Sequence, residues 1–293
     1  MTTGTLQKLR IGACSWKYPS WQGLVYSRAE GINYLEEYSR RYNTVEIDRW
    51  FWSLFPMGKV RMPDPAEAEE YRKAVSDNFR FTVKVPNSIT LTHSYSREKT
   101  KPGQSNSHFL SASLFSEFLK ALRPMHDMLG PLIFQFEYLN RKKMESQDAF
   151  ERAMETFRRQ LPEGFEYAVE IRNPNYINDR FWDFLHRQQW IPVLLQGYWM
   201  PSVVKLFEAN QERLKAYPTL ILRLHGQDRE AIEEETGKQW NRIVHARDEE
   251  LSQIAAMTAR FLDLGMTVYV NVNNHYEGSA PLTISRFIEF LQK

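Results

Sequence analysis

The chain has 293 residues, of which 42% are hydrophobic and 25% charged, with a net charge of +2 and a pI of 8.5. This is an ordinary globular balance, and the charge is too mild to argue for a nucleic-acid partner by itself. Cys14 is the single cysteine, so an internal disulfide is excluded.

Eight β-like runs can be marked in order: 11–16, 44–48, 80–86, 131–136, 166–172, 191–196, 219–226 and 267–274. Helical segments follow them at 33–42, 66–77, 108–129, 146–161, 179–189, 203–215, 247–264 and 282–293. Asp64-Pro65 supplies a cap and a first-turn proline for the second helix. Strict alternation of strand and helix implies a parallel sheet, and eight units predict an α/β fold of the TIM-type (β/α)8 class. The length suits a single domain over 1–293. Closure requires the last strand to pair in parallel with the first. An open doubly wound sheet is disfavoured, because no Gly-rich phosphate turn follows the first strand. The opening MTTGTLQKLR has no apolar signal core and no run reaches 18 apolar residues, so a cytoplasmic protein without a membrane partner is expected.

Strand parity separates two faces. Val45, Ile47, Phe81, Val83, Phe134, Leu222, Val270 and their neighbours are apolar and should face helices. The opposite parity carries Glu46, Lys84, Gln135, Glu170, Arg172, Arg223, His225, Asn271 and Asn273. These polar residues lie toward the strand C-terminal ends, where barrel active sites are built. A short strand cannot leave Glu170 and Arg172 in an apolar core without partners. Either they belong to a buried ion-pair network or they border a ligand.

The candidate chemistry follows from residue type. Lys84, Arg172, Arg223 and His225 suit an anion, and Glu46, Glu170 and His225 are the candidate catalytic groups. Gln135, Asn271, Asn273, Asn274 and His275 would orient the ligand. Trp16, Tyr18 and Trp21, after the first strand, could stack on a planar ring, or simply pack over the mouth. Cys14 reads as a small buried thiol. The seven histidines form no HxH or HExxH spacing. A divalent metal therefore has no motif behind it, although Glu46 and Glu170 could serve one, and no organic cofactor is expected. The basic run NRKK at 140–143 could touch a polyanion or lie solvated.

Several stretches then resemble one known family. They are IGACSWKYPSWQG, TVEID, FTVKVP, LGPLIFQF, YAVEIRNPNY, LRLHG and VYVNVNNHYEGSAPLTI. Together they resemble the YecE-like proteins, domain of unknown function 72, over nearly the whole length. The resemblance implies a (β/α)8 barrel and carries no assigned reaction. Distant similarity of that barrel to endonuclease IV-like and sugar-isomerase-like barrels has prompted nucleic-acid or phosphoester guesses, and the resemblance itself supplies no reaction. The chain departs from the family pattern at RWFWSLFP (49–56) and at QGYWMP (196–201).

Three functional readings follow. The first is an enzyme with a pocket at the C-terminal barrel face for a small or extended anionic substrate, phosphoester hydrolysis being the favoured class. The second is a non-catalytic nucleic-acid-binding barrel using Trp16, Tyr18, Trp21 and the 140–143 run. The third is a glycan-acting or glycan-binding barrel. Common barrel glycosidases carry glutamates after strands four and seven, where this chain has Gln135, with Glu137 two residues on, and His225.

Overall fold

A computed structural model describes residues 7–95 and 103–293. Residues 1–6 of the opening segment lie outside the described residues. Eight strands form one sheet: β1 Leu9–Ala13, β2 Thr44–Ile47, β3 Arg80–Lys84, β4 Leu129–Phe136, β5 Tyr167–Ile171, β6 Ile191–Gly197, β7 Thr219–Gly226 and β8 Thr267–Val272. Their order is β1-β8-β7-β6-β5-β4-β3-β2, with helices between successive strands, which is the TIM-type α/β fold. β1 and β8 pair in parallel as required, with Leu9 opposite Val268 and Ala13 opposite Val272.

The chain forms two compact units, each discontinuous in sequence. The first holds the described residues up to Glu46, Ala74–Phe81 and Pro192–Lys293. The second holds Ile47–Lys73 and the described part of Thr82–Ile191.

In the first unit β1, β8, β7 and β6 run side by side, and helices Asp248–Asp263 and Ala280–Gln292 pack against one another. The apolar parity is buried as expected, with Val268, Val270 and Val272 fully covered. The opposite parity is buried as well: Glu46, Arg223 and Asn271 are at most 1% exposed. Helix Arg229–Thr236 was not expected from the sequence. Asp228 caps it, its side chain accepting from the Ala231 amide, and Gly237 closes it in the left-handed region. Only Ile232 and Thr236 are buried on it, too few to show a helical period.

In the second unit β4 and β5 pair in register, placing Gln135 beside Glu170. The single helix expected over 108–129 is broken. Ser111 caps helix Ala112–Ala121, and a 3-10 segment over Arg123–Met128 follows before β4 begins at Leu129. Pro124 is the cause, since it lacks an amide hydrogen and clashes with the preceding turn. Phe115, Phe134, Phe157 and Tyr167 form an aromatic core at β4 and β5, tilted between Phe115 and Phe134 and edge-to-face in the other pairs.

The segment after β2 is folded back on itself. Leu54 bridges Val60 in antiparallel sense, the Phe55 amide donates to the Lys59 carbonyl, and the Arg61 amide donates to the Ser53 carbonyl. Met57 and Gly58 both take positive φ at the tip. Asn87 anchors the base: its Oδ1 accepts from the Ser53 and Leu54 amides at 2.9 and 2.8 Å, and the residue is 1% exposed. Asn87→Ala should therefore cost about 2–3 kcal/mol by stranding both amides. Urea unfolding checks it, and a change below about 0.5 kcal/mol would show that the anchor is dispensable.

Candidate functional site

Glu46 and Arg223 are the centre of the first unit. The arginine donates Nε to Oε2 at 2.8 Å and Nη2 to Oε1 at 2.6 Å. Asn271, the register neighbour of Arg223 across β7 and β8, donates Nδ2 to the same Oε2 at 3.1 Å. Glu46 is 0% exposed and Arg223 1%. Two-pronged geometry with a third donor is what a desolvated pair needs to offset the cost of its burial. The carboxylate is committed to three donors within its own unit, an arrangement suited to holding strands rather than receiving a proton.

His225 ends β7 beside this pair. Its Nε2 lies 3.6 Å from Cys14 Sγ, and the Tyr198 ring centroid lies 5.9 Å from its own. Cys14 is buried, as the sequence suggested. Gly226 follows with φ +73, and a Cβ there would stand 2.2 Å from the His275 carbonyl oxygen. Glycine is thus required where β7 approaches the loop after β8.

That loop places the remaining predicted residues. Asn273 Oδ1 accepts from the His275 amide and faces His275 Nδ1. His275 Nε2 lies 3.0 Å from Glu233 Oε1. Arg229 and Lys238 reach the same carboxylate at 2.6 and 3.2 Å. Asn274 is buried and accepts from the Ala280 amide at 2.9 Å, so it fixes the start of the last helix. Glu277, which the sequence reading passed over, is 0% exposed. It accepts from Thr283 Oγ1, Arg286 and the Arg247 amide. The available signal was a charge inside the short NNHYEG loop.

Burial opposes ionisation of Glu233, but hydrogen bonds from Arg229, His275 and Lys238 outweigh it and hold the carboxyl at about 2. Burial lowers the His275 pKa from 6.5, against the hydrogen bond to Glu233. The two effects have the same sign on the acid side. The unfolded chain takes up the histidine proton first, so stability falls as pH drops below 6.5 toward the depressed value. The Glu233 contribution is full above 4.5 and is lost as pH falls toward 2. Glu233→Gln should flatten the lower window, as read by urea unfolding at stepped pH. An unchanged slope would mean that this carboxylate is not held by its neighbours.

Tyr18 and Trp21 lie 4.7 Å apart between ring centroids. Trp21 itself is 0% exposed, enclosed with Tyr26 and Tyr38, and Trp16 is 8% exposed. Trp21 is therefore support beneath the loop, with no face to offer a ring, which corrects its expected stacking role.

The second unit carries the other polar strand ends. Glu170 is 0% exposed, and Arg172 Nε donates to its Oε1 at 3.0 Å while the arginine remains 18% exposed. Lys84 ends β3, partly exposed, with its Nζ 3.9 Å from the Phe51 ring centroid. Gln135 stands beside Glu170 on β4. The hydroxyl of Tyr95 is desolvated and faces the Glu137 charge, both raising its pKa, while Arg172 and Asn87 counter them. Within the 140–143 run, Lys143 pairs with Glu137 at 2.7 Å, so that lysine is engaged internally. Among the described residues no three His, Cys, Asp or Glu side chains are grouped to hold a metal, and no helix is long and apolar enough to cross a membrane.

Comparison with known proteins adds the following. The family described as "Protein of unknown function DUF72" matches residues 10–293. The UPF0759 protein YecE of Escherichia coli strain K12 is 27% identical over 166 residues, covering 57% of this chain and 49% of that protein, as is its counterpart in strain O157:H7. The match spans about half the length of these relatives. A crystal structure of a DUF72 family protein from Enterococcus faecalis V583 superposes with a TM-score of 0.69 at 17% identity, covering 97% of this chain and 96% of that one. One from Thermotoga maritima MSB8 gives 0.67 at 18% identity, covering 97% and 99%.

Proposed function

The chain belongs to the DUF72 family, and from that premise we propose that it is an enzyme whose substrate is a small anion, a phosphoester, held at the C-terminal strand ends of the second unit. One observation carries this reading. Lys84, Gln135, Glu170 and Arg172 come from the ends of three strands, β3, β4 and β5, and the two cations keep part of their surface open. Strand ends of this fold class are where ligands are bound.

In this reading Lys84 and Arg172 neutralise the phosphate, the arginine through its planar fork. Gln135 orients an ester oxygen. Glu170 accepts the proton of an attacking water as its oxygen bonds to phosphorus. The ester oxygen leaves with its bonding electrons and takes a proton from solvent. Charge on the equatorial oxygens grows toward the two cations, which is where the acceleration comes from.

The first unit has a different assignment. The buried pairing of Glu46, Arg223 and Asn271 favours a holding role, leaving His225 as the acid–base candidate there, with His275, Asn273 and Asn274 shaping the loop beside it. Tyr18 and Trp16, in the loop after β1, are the binding candidates of that unit. A panel of p-nitrophenyl phosphate mono- and diesters, with and without divalent cations, tests the proposal. Turnover that Arg172→Ala reduces supports it. Turnover indifferent to both Arg172→Ala and Lys84→Ala overturns it.

A further inference from the structure

The folded-back segment after β2 has the character of a binding surface. Trp52 is 59% exposed, Phe55 43% and Met57 82%, and Tyr95 is 57% exposed with its ring centroid 5.8 Å from that of Trp52. Apolar rings this open on one short stretch call for a partner. The segment is held at three points: Leu54 bridges Val60, Asn87 binds its base, and its tip carbonyl at Gly58 lies 3.2 Å from His108 Nε2. The rings are therefore presented at little entropic cost.

A cavity of about 340 Å³ opens beside them, lined by Trp52, Phe55, Arg61, Met62, Asp64 and Glu67 among others. Its acidic groups are already engaged. Glu67 takes Arg49, the Trp50 indole N–H and the Tyr71 hydroxyl. Asp64 accepts from the Ala66 amide at the start of helix Pro65–Lys73. Arg61 has no side-chain partner among the described residues, and Lys59 is exposed on the same hairpin. The lining charges balance, Arg49 and Arg61 against Asp64 and Glu67, so the excess positive charge on the hairpin is that of Lys59, while Arg61 keeps no side-chain ion pair among the described residues and stands among open aromatic faces.

We propose that this hairpin binds single-stranded nucleic acid, with bases stacking on Trp52 and its neighbour Tyr95 while Arg61 and Lys59 meet the backbone phosphates. Aromatic platforms interleaved with cations serve this ligand because every base has a stacking face and every link a charge. Two adjoining open rings are more than a single nucleotide needs. Duplex DNA would keep its bases stacked on one another and leave the rings unused. The inference uses none of the strand-end residues invoked for phosphoester chemistry, so the two stand or fall separately.

The test is fluorescence anisotropy of a labelled ten-nucleotide single strand against the full chain at low and moderate salt. Trp52 and Arg61 are exposed, so their variants should keep wild-type thermal stability and circular dichroism. Trp52→Ala should weaken binding at least tenfold. The double change Lys59→Ala with Arg61→Ala should reduce the slope of log K against log salt by about 1.4, as two fewer single-strand phosphate contacts require. Failure of the wild type to bind at about 50 mM salt overturns the proposal, as does binding untouched by Trp52→Ala. Equal affinity for a duplex, or for a mononucleotide, overturns it too, the latter in favour of a small nucleotide ligand in the cavity.

Discussion

Arg223→Ala will destabilise the protein by about 3–5 kcal/mol, because it leaves a fully buried glutamate without its counter-charge. The pair is 1% and 0% exposed, so solvent cannot screen the loss. Asn271 alone, at 3.1 Å, does not replace a two-pronged guanidinium. The companion Glu46→Ala should cost a similar amount, since it strands the arginine instead. The double replacement Glu46→Leu with Arg223→Met should recover much of the loss, because a packed apolar pair avoids desolvation altogether. Urea unfolding of all three variants gives the answer. A loss below about 1 kcal/mol for Arg223→Ala would mean that the pair is wet and weakly coupled. The Glu46–Arg223 assignment to a holding role would then fail.

Glu170→Gln should separate chemistry from stability in the second unit. The amide keeps an acceptor for Arg172 and nearly the same volume, so the fold should survive. A glutamine cannot take a proton from water, so turnover of a responsive phosphoester should fall by about 10²–10⁴-fold, the range general base catalysis supplies. KM should change little, because Lys84 and Arg172 remain to bind the phosphate. If the variant instead loses cooperative unfolding, Glu170 is a structural counter-ion like Glu46, and the base must be sought elsewhere.

The two carboxylates show what the sequence could and could not say. Period-two alternation placed Glu46 and Glu170 on the same inward parity, and both are buried as that parity requires. Parity cannot say which cation each one meets, because partners lie on other strands. Glu46 takes Arg223, far away in the chain, whereas Glu170 takes Arg172, two residues on, and only the latter pair was adjacent enough to read. Trp21 failed for the related reason that aromatic residues in a loop look alike whether they wall a pocket or fill one. Its ring is enclosed with Tyr26 and Tyr38, a grouping set by a turn and a helix rather than by spacing. The break at Pro124 was missed, although a proline inside a helical pattern is a signal that stops it. The buried Glu277 and the short helix Arg229–Thr236 carry too little apolar periodicity to be seen.

The central claim is that polar strand ends of the second unit form an anion site, and thermal unfolding in phosphate tests it most directly. Ligand that binds only the native state raises Tm with concentration, by mass action. Phosphate or sulfate should raise Tm beyond a chloride control of equal ionic strength, and the double change Lys84→Ala with Arg172→Ala should abolish the difference while the variant remains folded. No excess shift in the wild type, or a shift that survives the double change, would contradict the account and leave these cations as members of an internal ion-pair network.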